Sequence, residues 1–196
     1  MKQINQILGT TDIYLVDQIV KGRYHNSDVI LDAGSGLGRN LHWFYNNDFI
    51  IYGVDKDKAC VDILKNVYAK QEPNFHTSTV EKLAFKDQFF NHIICNAVLH
   101  FATDKKNFKD MFSELFRVLK PKGTLFIRVA SNIGIEDRIV SVSEGVYNLP
   151  DGTKRFLLTK SLLKELQDQH HFNLLEPVKT VNVNDQRCMT TLVLQK

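Results

Sequence analysis

The 196-residue sequence predicts an α/β domain around a mostly parallel sheet of seven strands that ends in an antiparallel strand pair. Three observations carry this expectation. Short apolar runs rich in β-branched residues alternate with amphipathic stretches of helical period, the pattern of repeated β-α units. A glycine-rich turn, Gly34-Ser35-Gly36-Leu37-Gly38, follows the first run directly and precedes a helical stretch. The end of the chain holds two strand-like runs joined by the polar turn Asn184-Asp185-Gln186-Arg187, most simply a hairpin.

The elements follow in order. Ile4, Ile7 and Leu8 share one helical face, and Thr11 is the expected cap of a second helix carrying Leu15, Ile19 and Val20, so residues 1–24 are expected to form a helical lid or flank. Strand one is Val29 to Ala33, and the helix after the glycine turn should bury Leu41, Phe44 and Tyr45. Strand two runs from Phe49 to Val54. A helix from about Lys58 to Lys70 presents Val61, Leu64 and Tyr68, and Pro73 marks the approach to a short third strand at Phe75-His76-Thr77. His92 to Val98 is nearly continuously apolar, as a strand covered on both faces should be. Asp104 caps a helix with Phe108, Met111, Phe112, Leu115 and Leu119 on one face, which Pro121 should stop. Gly123 then turns the chain into strand five, Thr124 to Ala130. The stretch from Ser131 to Asp151 reads as irregular and long, which makes residues 131–158 a candidate substrate-side insertion. Thr159 or Ser161 caps a helix to about Gln169, and Val178–Val183 and Met189–Leu194 complete the sheet.

Composition narrows the classes of function. With 43% apolar and 24% charged residues, residues 1–196 suit one domain with its own core. A net charge of +3 gives little field to attract nucleic acid or an anionic membrane. The basic stretch at Lys105, Lys106 and Lys109 is interspersed with Asp104, Asp110 and Glu114, and reads as a solvated helix face. No signal peptide opens the chain and no run is long and apolar enough to span a bilayer, so a cytoplasmic protein is expected. Cys60, Cys95 and Cys188 are scattered, and no Cys/His/carboxylate spacing suggests a metal. His170-His171, near a helix end, suit a dipole partner better than a metal ligand. Trp43 and Phe44 suit the core or its rim, and Arg128, within a covered strand, must either pair with a buried carboxylate or reach the substrate side.

The chemistry concentrates at the glycine turn. Glycines let the backbone approach a ligand, and a helix start offers unpaired amides to an anionic group. Asp55, about 20 residues on and at the end of strand two, is placed to accept hydrogen bonds from both hydroxyls of a ribose; it can also cap the next helix. A dinucleotide fingerprint needs a third glycine three positions after the second, where Arg39 stands here. Asp32 would repel a pyrophosphate, but through the turn or a water it can help hold an ammonium. A cofactor carrying both an ammonium and a carboxylate fits this pattern better than a nicotinamide dinucleotide.

Val29 to Asn40, with Tyr52-Gly53-Val54-Asp55, resemble the first two motifs of class I S-adenosylmethionine-dependent methyltransferases. Ile94 to Phe101 is similar to the family's strand-four motif, and Leu115 to Leu125 to the segment leading into strand five; Gly38-Arg39-Asn40 is most similar to small members of the tellurite-resistance type. The resemblance implies a doubly wound, Rossmann-like sheet. It implies S-adenosylmethionine as cofactor and S-adenosylhomocysteine as product. By position Asp32, Ala33, Gly34, Ser35, Gly36 and Gly38 belong to the methionine end; Asp55 to the ribose; Lys56, Thr79, Val80 and Glu81 to the adenine; and Asn96, Ala97 and Val98 to the methionine side near the methyl, with Arg39 and Asn40 as further cofactor-binding candidates. The sequence departs from the family at Thr79, where an acidic residue is common, and at Ala84, Asn91 and Lys122. His100 is the candidate base for an acceptor that must lose a proton, although a histidine that merely holds its loop fits the same position; His42 has a weaker claim. The expected function is methyl transfer to a small-molecule acceptor whose identity no pattern reveals. The alternatives are a non-catalytic S-adenosylmethionine-binding module or subunit and, disfavoured by Arg39, a nicotinamide-dependent oxidoreductase.

Overall fold

In the computed structural model, residues 4–196 are described, and residues 1–3 of the expected N-terminal flank lie outside them. The chain runs α1 (Ile4–Leu8), α2 (Ile13–Val20), β1 (Val29–Ala33), α3 (His42–Asn46), β2 (Ile50–Asp55), α4 (Lys58–Val67), β3 (Phe75–Thr77), β4 (Phe90–Asn96) and α5 (Lys105–Val118). It continues through β5 (Leu119–Ser131), β6 (Val140–Ser143), β7 (Val146–Asn148), β8 (Lys154–Phe156), α6 (Lys160–His170), β9 (Asn173–Leu174), β10 (Lys179–Val183) and β11 (Arg187–Gln195).

The main sheet is Rossmann-like, with the path β10-β11-β5-β4-β1-β2-β3 and the short β9 added beside β11. β1 to β5 pair in parallel, while β11 runs antiparallel to both β5 and β10. The strand order reverses direction at β1, which has β2 on one side and β4 on the other. A crevice at the carboxyl ends of β1 and β4 is where such sheets take ligands.

Period-two alternation divides the apolar residues between two faces. Leu31, Ile93, Cys95, Leu125, Ile127 and Leu192 point to a core completed by Phe108, Met111 and Phe112 of α5 and by Leu162 and Leu166 of α6. Ile30, Ile94, Phe126 and Val193 point to the other, completed by Leu15 of α2, Phe44 of α3 and Val61 and Leu64 of α4. Covered on both faces, β1 and β4 need their continuous apolar runs.

The structure corrects several local expectations. Asp12, not Thr11, caps α2 by accepting the Tyr14 amide, and the Thr11 hydroxyl turns back to Leu8 O. Val20 faces outward, because α2 spans only eight residues and buries Leu15 and Gln18 instead. α3 is a single short helix that buries Phe44 but leaves Tyr45 half-buried. α5 ends at Val118, and Pro121 sits inside the extended start of β5 rather than stopping a helix; its fixed φ suits extended backbone, and it lies between the paired residues Leu119 and Thr124, where no ladder bond needs its N–H. Residues 140–156 are not irregular: β6, β7 and β8 form a separate antiparallel sheet. Among the described residues no helix is long and apolar enough to cross a membrane.

Candidate active site

The turn after β1 needs its glycines for shape. Gly34, Gly36 and Gly38 have φ of 77°, 52° and 76°, in the left-handed region that side chains disfavour. A Cβ on Gly34 would fall 2.3 Å from Val98 Cγ2, and one on Gly38 would fall 2.4 Å from Leu64 Cδ2. Their amides are not bare, which corrects the expectation of free donors. Gly34 N donates to Val54 O, Gly38 N to Ser35 O and Gly36 N to Asp55 Oδ2, at 2.8 Å each. Ser35 adds its amide and hydroxyl to Val54 O. These bonds fasten the turn to the end of β2, so the glycines set the backbone's course while other groups must meet the ligand.

Asp55 therefore stands against the glycine turn, its second oxygen accepting the Asp57 amide. Asp57, in turn, caps α4 through Ala59 N, the role sequence reasoning had offered to Asp55. Beside Asp55 opens a cavity of about 300 Å³. Of the residues implied by resemblance, Gly34, Asp55, Lys56, Thr79, Val80, Glu81, Ala97 and Val98 line it together. Ser78, Phe101 and Met111 line it too and were missed; Met111 is a core position of α5 by period, and nothing in its spacing distinguishes an end of the core from the wall of a cavity.

Behind the turn lies a buried polar cluster. Both oxygens of Asp32 and both amide atoms of Asn96 are buried with no hydrogen bond of normal geometry, although Asn96 lies beside Asp12. Burial raises the Asp32 pKa from 3.8 to about 8; Arg39 opposes the rise and Asp55 adds to it. Ala33 is fully buried. Asn40 accepts the Asp12 amide at 3.2 Å, and Asp12 Oδ2 lies 2.6 Å from Arg128 Nη1 and 3.7 Å from Arg39 Nη2. Asp32, Ala33, Ser35, Gly36, Gly38, Arg39, Asn40 and Asn96 thus stand outside the cavity wall and shape or charge it from behind. Unsatisfied buried polar atoms are costly and rare. Asp32 and Asn96, orphaned behind the turn though outside the cavity wall, are acceptors that a nearby ammonium would satisfy, so the residues present fit S-adenosylmethionine.

A second cavity of about 290 Å³ shares Ala97 with the first. Ala97 has φ of 63°, a strained setting for a residue with a Cβ, and its amide donates to Arg128 O at 2.8 Å. His100 and Arg128 line this cavity with Arg155 of β8, Asp151 and Arg187. His100 Nδ1 accepts the Ala130 amide at 3.2 Å, which leaves the proton on Nε2. Burial, then the charges of Arg155 and Arg187, hold the ring's pKa down at about 4. His100 is therefore a neutral hydrogen-bond donor near pH 7, because its one basic nitrogen is already engaged; the expected base is not available there. His42 bonds Gln6 O and Asn46 on an exposed face, away from both cavities. Among the described residues no cluster of three or more metal-ligating side chains exists.

Residues 31–127 match the model of the family described as "Methyltransferase domain". The ubiquinone biosynthesis O-methyltransferase of Coxiella burnetii is 28% identical over 159 residues, 78% of this chain; the chain spans 64% of the length of this curated relative. A methyltransferase structure from Methanosarcina mazei superposes with a TM-score of 0.73 at 20% identity, covering 91% of this chain and 96% of that one. The 1,6-didemethyltoxoflavin-N1-methyltransferase of Burkholderia thailandensis, crystallised with 1,6-didemethyltoxoflavin and S-adenosylhomocysteine, superposes with a TM-score of 0.67 at 20% identity, covering 92% and 75%. The motifs of the glycine turn, Asp55 and strand four all fall within the matched stretch, and the solved structures share the sheet that carries them. Residues 31–127 belong to the methyltransferase-domain family, and the sheet around them is that of solved S-adenosylmethionine-dependent methyltransferases.

Proposed function

We propose that this chain transfers a methyl group from S-adenosylmethionine to a small-molecule acceptor held in the second cavity. One observation carries the reading: eight residues assigned to the cofactor by resemblance line a single cavity, and a second cavity shares Ala97 with it. In this reading Asp55 takes the ribose hydroxyls, Lys56, Thr79, Val80 and Glu81 surround the adenine, and Asp32 and Asn96 balance the ammonium from behind the turn. Bound there, S-adenosylmethionine supplies a methyl carbon on a sulfonium, whose transfer to an acceptor lone pair returns the carbon–sulfur electron pair to sulfur and leaves S-adenosylhomocysteine.

The chain's own residues contribute position and dryness rather than proton transfer. Alignment of two bound reactants in a water-poor cleft supplies much of the acceleration such a displacement needs. His100 donates from Nε2, and an acidic proton on the acceptor passes to water. A relative named for O-methyl transfer in ubiquinone biosynthesis, and a neighbour crystallised with a small heterocycle, support a small-molecule acceptor. Isothermal titration calorimetry with S-adenosylmethionine and S-adenosylhomocysteine tests the reading. One-to-one binding of both is expected; binding of neither ends it.

A further inference from the structure

We infer that the methyl acceptor is an anion, and that Arg155 and Arg187, with His100, hold its carboxylate or phosphate in the second cavity. The inference rests on the methyltransferase reading and specifies its substrate class.

The charge balance of the cavity wall is the starting point. Three arginines and one aspartate line it. Arg128 is largely matched, since its Nη1 bonds Asp12, yet its Nε is buried without a partner. Arg187 Nη1 lies 3.6 Å from Asp151 Oδ2, a loose pair, while the Asp151 carboxylate also accepts the amide and hydroxyl of Thr153 at Oδ1. Arg155 has no carboxylate within ion-pair distance among the described residues. Its Nη1 reaches only the Lys154 carbonyl, and its guanidinium stands over the Phe101 ring, 5.0 Å from the centroid. The wall therefore carries more positive than negative charge, and Arg155 has most of its donors free.

Neutral His100 is the second observation. Its Nδ1 is engaged by Ala130 N, so Nε2 can only donate, and burial, followed by the proximity of Arg155 and Arg187, disfavours a second proton on the ring. A donor-only imidazole among guanidiniums is an environment built to meet an acceptor oxygen. Arginine forks match the oxygens of carboxylate and phosphate, and charge-assisted bonds of this kind are the stronger ones. Ala130, Leu149 and Met189 supply apolar wall for the body of the molecule. At about 290 Å³ the cavity holds roughly ten waters' volume, which suits a small molecule and not a polymer. Phe101 lines the cofactor cavity and lies under Arg155, so an anion gripped by Arg155 sits next to the seam between the two cavities.

The test titrates the full chain, with and without saturating S-adenosylhomocysteine, against matched pairs: 4-hydroxybenzoate with 4-hydroxybenzamide, 3,4-dihydroxybenzoate with its amide, and phenyl phosphate with phenol. At least one anion is expected to bind ten-fold or more tightly than its neutral partner, because a site with unpaired donors rejects a ligand that leaves them unpaired. Arg155→Met and Arg187→Met should each weaken that anion ten-fold or more while S-adenosylhomocysteine affinity stays within about two-fold, and phosphate against carboxylate preference identifies the anionic group. A histidine-selective NMR titration adds a readout independent of ligand shape: Arg155→Met should raise the His100 pKa. Neutral and charged partners binding alike, no anion binding at all, or an unmoved His100 pKa would each overturn the inference. Failure of S-adenosylhomocysteine alone to bind would instead strike the methyltransferase reading, since the anion titration is also run without it.

Discussion

Replacing Asp32 by asparagine separates the stability of the empty protein from its grip on the cofactor. The Asp32 carboxyl is wholly buried and unpartnered, and its pKa stands near 8 against 3.8 in water. A carboxyl raised in this way contributes stability that is complete below pH 3.8 and is withdrawn as pH climbs towards 8. At about 1.4 kcal/mol per pKa unit, the withdrawal reaches on the order of 4 kcal/mol by pH 7. The ligand-free Asp32→Asn protein should therefore lack this decline between pH 4 and pH 8 and melt higher than the wild type at pH 7. Cofactor binding should show the opposite sign. About nine-tenths of the wild-type carboxyl is protonated at pH 7, and an ammonium brought nearby lowers a carboxyl pKa by about one to three units, so binding should expel roughly 0.4–0.9 proton. Calorimetry of S-adenosylmethionine in phosphate and in Tris, whose ionisation enthalpies differ, counts that proton directly. Wild-type binding with the same heat in both buffers, or an equal buffer dependence in Asp32→Asn, would refute the assignment of Asp32 to the ammonium.

Further expectations follow from the same geometry. Asp55→Ala removes the ribose acceptor and frees the Gly36 and Asp57 amides; with charged hydrogen bonds worth about 1.5–3 kcal/mol each, S-adenosylhomocysteine affinity should fall at least ten-fold in calorimetry, and an unchanged affinity would contradict the ribose assignment. Gly38→Ala sets a Cβ 2.4 Å from Leu64 Cδ2 and 2.8 Å from Tyr68 Cε2 at φ of 76°, whereas Gly36→Ala meets nothing within 4 Å. By scanning calorimetry the first should cost about 2–4 kcal/mol and lower Tm by roughly 5–15 °C, with the second losing only the smaller backbone part. His100 has a pKa depressed from 6.5 to about 4, so its contribution is intact above pH 6.5 and is lost as pH falls through 4. The methyl-transfer rate should show no inflection from this residue between pH 6 and 8, and His100→Asn should flatten acid unfolding below pH 6.5 as followed by circular dichroism.

The sequence's legibility followed the strength of its local physics. β1, the glycine turn and Asp55 were readable because a buried parallel strand, a left-handed turn and a carboxylate at a strand end each restrict residue type. Asp104 and Thr159 were recognisable as caps for the same reason, and both cap in the structure. Thr11 against Asp12 was a choice between adjacent good caps, which long-range bonds from Asp12 to Arg128 and Asn40 decided. β6 to β8 escaped detection because their strands are three or four residues long and β6 is exposed throughout, so no alternation marks them. Arg155 and Arg187 are ordinary charged residues until the small sheet and the final hairpin bring them together. The bonded state of the glycine amides was equally hidden, since spacing locates a turn without saying which carbonyls it faces.

The small sheet of β6, β7 and β8 packs partly on a cluster formed by Ile135, Leu149 and Leu157 with Ala130 and Cys188, and is keyed into the main core by Val146 and Phe156, the latter stacked on Phe108 of α5. Leu149, Asp151, Thr153 and Arg155 thus reach the second cavity from a small sheet anchored by Phe156, whereas Asp55 stands at the end of β2. Mutations in the small sheet can retune which molecule is modified while the donor's seat, held by β1 and β2, goes untouched.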